Sequence, residues 1–402
     1  MGTKTAKYNE IKGESTSYLG LLALLAAFVG AGLLSALYME HNGHVVTGMS
    51  NQVVWGVPHV FAVFLIVAAS GALNVASIGT VFGKLPYKPL GRLSNVLAIA
   101  LLVGGLVVLV LDLGHPDRLI IAMTSMNLKS IFAWNIFLYV GFIVVTGVYL
   151  WFMLERRMNK YYPKAGYVAF VWRLILTTGT GSIFGFLVSR EAFDSALFAP
   201  MFIVDSFAYG LAIFIAVLMI SFKYSERPLS DILVNRLKSL LAVFILAAFY
   251  FTVVYHLENL YRTGNHDLEA FLLLDRSYPY MHFFWVGQLA IGTVFPLMML
   301  WAPVLKNSMS ATISACVAVV LGGLSHMYVT IIGGQAFPME IFPGKEVSSS
   351  FFDGVIAQYH PTMPEFLLGL GGFAFAFLIV ALAVKMLKLL PMSLSDEIVQ
   401  SK

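Results

Sequence analysis

Ten segments of this chain are each apolar for about twenty residues, long enough to cross the roughly 30 Å hydrocarbon core of a bilayer as helices. They are predicted at 18–39, 53–83, 93–114, 131–153, 165–189, 197–221, 239–260, 279–301, 310–333 and 364–387. The second is overlong and is expected to tilt or break near Gly71. Backbone groups in lipid have no water to bond, so runs of this length close their hydrogen bonds internally as helices. The fold class expected is all-α, a polytopic integral membrane protein with residues 1–402 forming a single ten-helix domain. Only 11% of residues are charged, against about a quarter in soluble domains. The polar start, MGTKTAKYNEIKGEST, carries no signal-peptide pattern, so the spans themselves are expected to direct insertion.

Lysine and arginine orient the bundle. With the N-terminus placed in the cytoplasm, the inner segments hold 18 of them and the outer loops 6, with Arg173 inside a span. Both termini are therefore expected to be cytoplasmic, in a bacterial or archaeal inner membrane. The net charge of +4 is spread over short loops and gives no sign of nucleic-acid binding.

All nine histidines (His41, His44, His59, His115, His256, His266, His282, His326 and His360) then fall toward the outer face. Imidazole titrates near neutral pH, so proton chemistry is expected on that side. The most specific local motif is LDLGHPDRL, residues 111–119, where the third span ends. It crowds Asp112, His115, Asp117 and Arg118 onto one helix terminus, with Gly114 and Pro116 as stop residues. Asp112 lies about a turn inside the terminus, where an ionised carboxylate needs a partner. His115, three residues on, shares its helical face and forms with it a pair suited to accept the protons of a hydroquinone. Glu40 and His41, where the first span ends, make a second such pair. His44 in the loop after them reads equally well as a solvated residue. His59 is expected about two turns into the second span, just after Pro58, where proline would loosen the backbone ladder, and Trp55 precedes it near the boundary, placed to contact a flat quinone ring.

Two charges lie inside spans, Arg173 in the fifth and Asp205 in the sixth. Such charges are costly and are usually paired or functional. Asp205 is expected either to bind Arg190 or to join a proton path with Arg173 and Glu258. His256, His282 and His326 stand in the outer thirds of three spans; interhelical hydrogen bonding is the simpler account, and ligation of a haem b stays open. The single cysteine, Cys316, excludes an intrachain disulfide and any Cys-ligated iron–sulfur cluster or zinc-finger site within the chain, and no metal site is expected. The outer loop 334–363 is apolar, with Phe337, Ile341, Phe342, Phe351 and Phe352, and is expected to pack over the bundle or against a partner subunit. The second span begins VPHVF and the sixth APMFI, a faint sign of a parallel four-helix repeat. That repeat and the ten spans would suit a secondary transporter, but transporters place polar groups at midplane, and here they crowd the outer third.

The D-L-G-H-P-D-R segment resembles the signature of the NrfD/PsrC family of membrane quinone-interacting subunits, and SREAFDSALFAPMFIVDSFAYG resembles that family's proline-containing entry to the sixth helix. The segments MEHNGHVVTGMSNQVVWGVPHVFAVFLIVAASGALNVASI and GGQAFPMEIFPGKEVSSSFFDG are similar to the ten-helix DsrP-type members of DsrMKJOP complexes. The resemblance implies a subunit without a redox cofactor of its own, not active alone. Such a subunit exchanges electrons between the menaquinone or ubiquinone pool and an iron–sulfur partner (DsrO-like) near the periplasmic face, in sulfur metabolism. It implies further partners: a multihaem cytochrome c (DsrJ-like) and DsrM- and DsrK-like subunits. It maps the quinone-binding residues onto Asp112, His115, Asp117 and Arg118, with Glu40 and His41 close by. Some relatives carry a G-I-G-H pattern in the second helix; this chain has Ala68–Leu73 there, leaving His59 as the substitute.

Overall fold

The computed structural model describes residues 7–305, 307–339 and 354–396. Among the described residues are ten helices of membrane-crossing length: α1 (Thr16–Asn42), α2 (Val57–Thr80), α3 (Leu85–Leu111), α4 (Ile131–Leu154), α5 (Asn159–Gly185), α6 (Phe198–Tyr224), α7 (Asp231–Tyr261), α8 (Tyr280–Trp301), α9 (Met309–Ala336) and α10 (Met363–Met386). Each of the ten expected spans is matched. The overlong second span does break, at Leu73, between Val57–Ala72 and Asn74–Thr80. Of the apolar outer loop, Ile341, Phe342, Phe351 and Phe352 lie outside the described residues, while Phe337 packs on Phe271 with ring centroids 5.6 Å apart.

Helix starts follow from local chemistry. Ser15, Ser230 and Ser308 accept hydrogen bonds from Tyr18, Leu233 and Ala311, satisfying amides that the first turn leaves open. Pro58 sits in the first turn of α2, where no backbone donor is needed. It starts the helix rather than loosening it, so His59 is in the first turn and not two turns in, as the sequence suggested.

Helices α2 to α5 pack as one group and α6 to α9 as a second, with α2 against α6 at their junction. Helix α10 lies on α2 and α3, and α1 covers α10. As a result α2 is almost wholly enclosed, and α1 turns most of its surface outward. Glycines make these contacts close. A Cβ on Gly71 would fall 1.5 Å from the Ser206 carbonyl, and one on Gly210 would fall 2.1 Å from the Ala72 amide. Backbone meets backbone there, so neither side can yield, and small residues at such crossings are what lipid-embedded packing favours. Gly104 and Gly105 let α3 wedge between α10 and α2: their Cβ atoms would fall 2.6 Å from the Gly372 carbonyl and 2.8 Å from the Ala62 carbonyl.

At the end opposite the histidines the two termini are tied together. Tyr8–Asn9 pairs antiparallel with Leu390–Pro391. The Arg227 guanidinium donates to the carbonyls of Asn9, Glu10 and Leu390, and Arg92 lies over the Tyr8 ring. Gly210→Val is expected to cost about 3 kcal/mol or more, because the added carbons meet backbone on α2. Gly147→Val, with nothing within 4 Å of its added Cβ, should leave the thermal midpoint in detergent unchanged; equal melting of the two variants would refute the crossing as the tight contact.

Candidate functional site

The histidine-bearing end of the α2–α5 group holds a buried acid beside an imidazole. Asp112 caps the C-terminus of α3 and is buried. His59 Nδ1 lies 2.9 Å from its Oδ2. The approach is off the hydrogen-bond direction, and both carboxylate oxygens lack a hydrogen-bond partner among the described residues. A buried carboxylate in that condition calls for an explanation, because desolvating it without partners is costly. The Asp112 side chain is fully covered, while His59 keeps 19% of its side chain exposed. The acid is thus reached past the imidazole.

Aromatic rings build the wall. Trp55 stacks on His59 with centroids 6.2 Å apart and planes 27° from parallel. Phe184 meets the indole edge-on at 5.7 Å, and Phe132 and Phe193 flank it. These rings come from α4, α5, the α5–α6 loop and the segment before α2. Flat apolar faces next to an acid and an imidazole can hold an aromatic ring by stacking and exchange protons with its oxygens.

The segment that carries Trp55 is clamped by side chains that sequence reading passed over. Gln335, in the last turn of α9, accepts from the Val54 and Trp55 amides, both at 3.0 Å, and donates to the Trp55 carbonyl. Arg190 bridges the carbonyls of Gln335 and Gln52 at 2.7 and 2.8 Å, and burial lowers its pKa from the usual arginine value. On the other side Tyr359 accepts from the Val57 amide and donates to Glu365 at 2.7 Å. Burial first, and then the Glu365 charge, push the Tyr359 phenol well above its ordinary pKa, so it stays a donor. Glu365 also accepts from the Gly48 amide. No local signal marks Gln335, and the T-x-x-E capping box that Glu365 forms with Thr362 marks only a helix start; each acts on a segment about 280 or more residues away.

Several expectations need correction. His115 does not pair with Asp112: the chain turns at Leu113–Gly114, and His115 is exposed, 3.8 Å from an equally exposed Asp117. Such a surface pair contributes little. Arg118 is exposed and has no ion pair among the described residues, so it holds no acid. Glu40 and His41 are exposed at the end of α1, because Met39 beside them is the residue that turns inward, into the cluster with Val108. Besides His59, His44 approaches the motif, its ring 3.4 Å from where a Gly114 Cβ would stand.

Asp205, Arg173 and Glu258 are not brought together either. Arg190 is taken up by backbone carbonyls, and Asp205 Oδ2 lies 3.4 Å from His326 Nε2. Arg173 is buried between the Phe170 and Phe207 rings and donates to Asn74 at 3.0 Å. Glu258 accepts from Ser195. His256 Nδ1 is held by Glu269 at 2.8 Å, and His282 is exposed.

A family model described as polysulphide reductase, NrfD, matches residues 45–339, which span both helix groups and the Trp55, His59 and Asp112 site. The chain belongs to the NrfD family. It is a multi-pass protein of a prokaryotic cell membrane. It is similar to the Hdr-like menaquinol oxidoreductase integral membrane subunit of Archaeoglobus fulgidus, with 29% identity covering 98% of this chain and 99% of the relative. It is also similar to one of the selenate reductase subunits of Mesobacillus selenatarsenatis, 22% identical over 92% of this chain and 93% of that one. By name, each of these relatives is a subunit of a redox complex. Coverage from end to end means that the similarity is not confined to one group of helices.

Gln335→Ala leaves the Val54 and Trp55 amides and the Trp55 carbonyl without this partner, at about 0.5–1.5 kcal/mol for each part-buried bond. The expected outcome is a lower thermal midpoint and altered Trp emission; a midpoint equal to that of the unaltered chain would show that the clamp does not hold Trp55.

Proposed function

We propose that this chain is the quinone-exchanging subunit of a membrane redox complex, with its site formed by Asp112, His59 and Trp55 at the histidine-bearing end. One observation carries the reading: a fully covered carboxylate with both oxygens unbonded, next to an imidazole and beside an indole. A quinol hydroxyl supplies the missing donor to Asp112. Protonated at Nδ1, His59 faces the carboxylate and leaves Nε2 for the second proton or for the other oxygen. The quinol ring packs along Trp55. In the oxidising direction two O–H bonds break, the two protons pass to this acid–imidazole pair and on to the adjacent water, and two electrons leave to a partner.

The excess of lysine and arginine at the other end supports an external position for this site. The name of the Archaeoglobus relative favours menaquinone. A single cysteine cannot hold a cysteine-ligated cluster, so electrons that pass through one leave to another subunit; the similar segments imply an iron–sulfur subunit of DsrO type. A DsrJ-like multihaem cytochrome c and DsrM- and DsrK-like subunits complete a complex of sulfur metabolism, as the similar segments imply.

Asp112→Asn keeps the size of the side chain and removes the proton acceptor. In membranes containing the assembled complex, quinol-dependent turnover is expected to fall by about a hundredfold or more, the usual weight of a general base. The amount of assembled complex should not change, and His115→Gln should keep near-normal turnover. Full activity in Asp112→Asn would remove that carboxylate from the reaction.

A further inference from the structure

The α6–α9 group carries acid–imidazole pairs of its own, which the site above does not use. Glu269 is buried in the short helix His266–Leu273; it accepts from Asn259 at 2.8 Å and holds His256 Nδ1 at 2.8 Å. Asp205 and His326 are both buried and lie 3.4 Å apart across α6 and α9. His256 and His326 line one and the same small cavity, of about 20 Å³, together with Thr252, Gln288 and Met201. That is room for about one water. Asp205 lines a second cavity, of about 30 Å³, with Tyr209, Gly292 and Gly323. Thr252 and Gln288 stand between the two and are bonded to each other at 3.2 Å.

Helix α8 is built to put Gln288 there. Residues Phe283–Val294 run as a π-helix, and only Phe284 and Gln288 of that stretch are buried. A second π stretch, Val329–Gly333, follows His326 on α9. Wide turns of this kind are rare and gather at functional sites. The two helices cross where Gly292 meets Gly322, a Cβ on the first falling 2.5 Å from the Cα of the second. Aligning VPHVF of α2 with the faintly similar APMFI of α6 puts Met201, which lines this cavity, where His59 stands.

We propose that the α6–α9 group holds a buried proton-exchange site, in which His256–Glu269 and His326–Asp205 share a proton through water in the cavity between the two imidazoles. His256, with 14% of its side chain exposed, is the way in from outside. A proton arriving on His256 Nε2 moves to the water, a second proton moves from that water to the His326 ring, and His326 Nε2 passes its own to Asp205 Oδ2. Only N–H and O–H bonds change, and no electron moves. The other titratable groups facing the pairs are two phenols, Tyr255 edge-on to His256 and Tyr209 beside Asp205. Among the described residues neither a lysine nor an arginine lines either cavity, so an added proton meets no fixed positive charge from them there.

The test needs no quinone and no partner, so its failure is distinct from failure of the quinone reading. The full chain, labelled with ¹⁵N-histidine in lipid nanodiscs, is titrated by NMR. His326→Gln is expected to shift the His256 midpoint by about one pH unit, as coupled sites do, while His282→Gln at an exposed position leaves it unmoved. Asp205→Asn, of unchanged size, reads the same coupling should His326→Gln fail to fold. A His256 midpoint that stays fixed in a folded Asp205→Asn or His326→Gln protein overturns the proposal.

Discussion

Hydrocarbon offers no hydrogen bonds, and the whole molecule is shaped by that lack. Each span closes its own backbone bonds as a helix, and each polar side chain that enters the bundle must find its partner within protein. Arg173 finds Asn74 and two aromatic faces; Arg190 finds two carbonyls; Gln335 satisfies three backbone groups of one extended segment. Against this pattern Asp112 stands out, because its oxygens are buried and unbonded. Other buried groups, among them both polar atoms of Asn95, also lack a partner, but among the described residues Asp112 is the carboxylate with both oxygens in that state.

Rigidity around that exception comes from both ends of the chain. The segment 52–57 is mostly irregular, yet it is fastened by α9 through Gln335 and by α10 through Glu365 and Tyr359. Glycines at the α2–α6, α2–α3 and α3–α10 crossings bring the helix axes close, so the first turn of α2 and the last turn of α3 meet. The acid, the imidazole and the indole therefore sit on rigid elements, although two of them border loops.

Much of the site was legible in the sequence, but its pairing was not. The D-L-G-H-P-D-R segment singled out Asp112, and the boundary position of Trp55 and His59 drew notice to them. Choosing His115 as the partner rested on a helix continuing through the motif. The helix ends at Leu111, and Gly114 and Pro116, the stop residues in plain view, are the reason that the spacing rule fails. The Asp205–Arg190 pairing failed differently: opposite charges at similar depth do not decide contact when carbonyls nearer at hand take the guanidinium. The pairs His256–Glu269 and Asp205–His326 had no sequence signal, since each joins residues on different helices whose relative rotation is unknown until they pack.

The sequence by itself determined that there are ten helices, where each lies, and that the histidines collect at one end, because length, hydropathy and alternation of direction are properties of segments taken singly. The tertiary structure decided which acid meets which imidazole, that Gln335 and Glu365 hold the Trp55 segment, and that Glu40, His41, His115 and Arg118 face outward. Those outcomes depend on how each helix is rotated about its axis, and rotation is set by glycine crossings and buried hydrogen bonds between residues far apart along the chain.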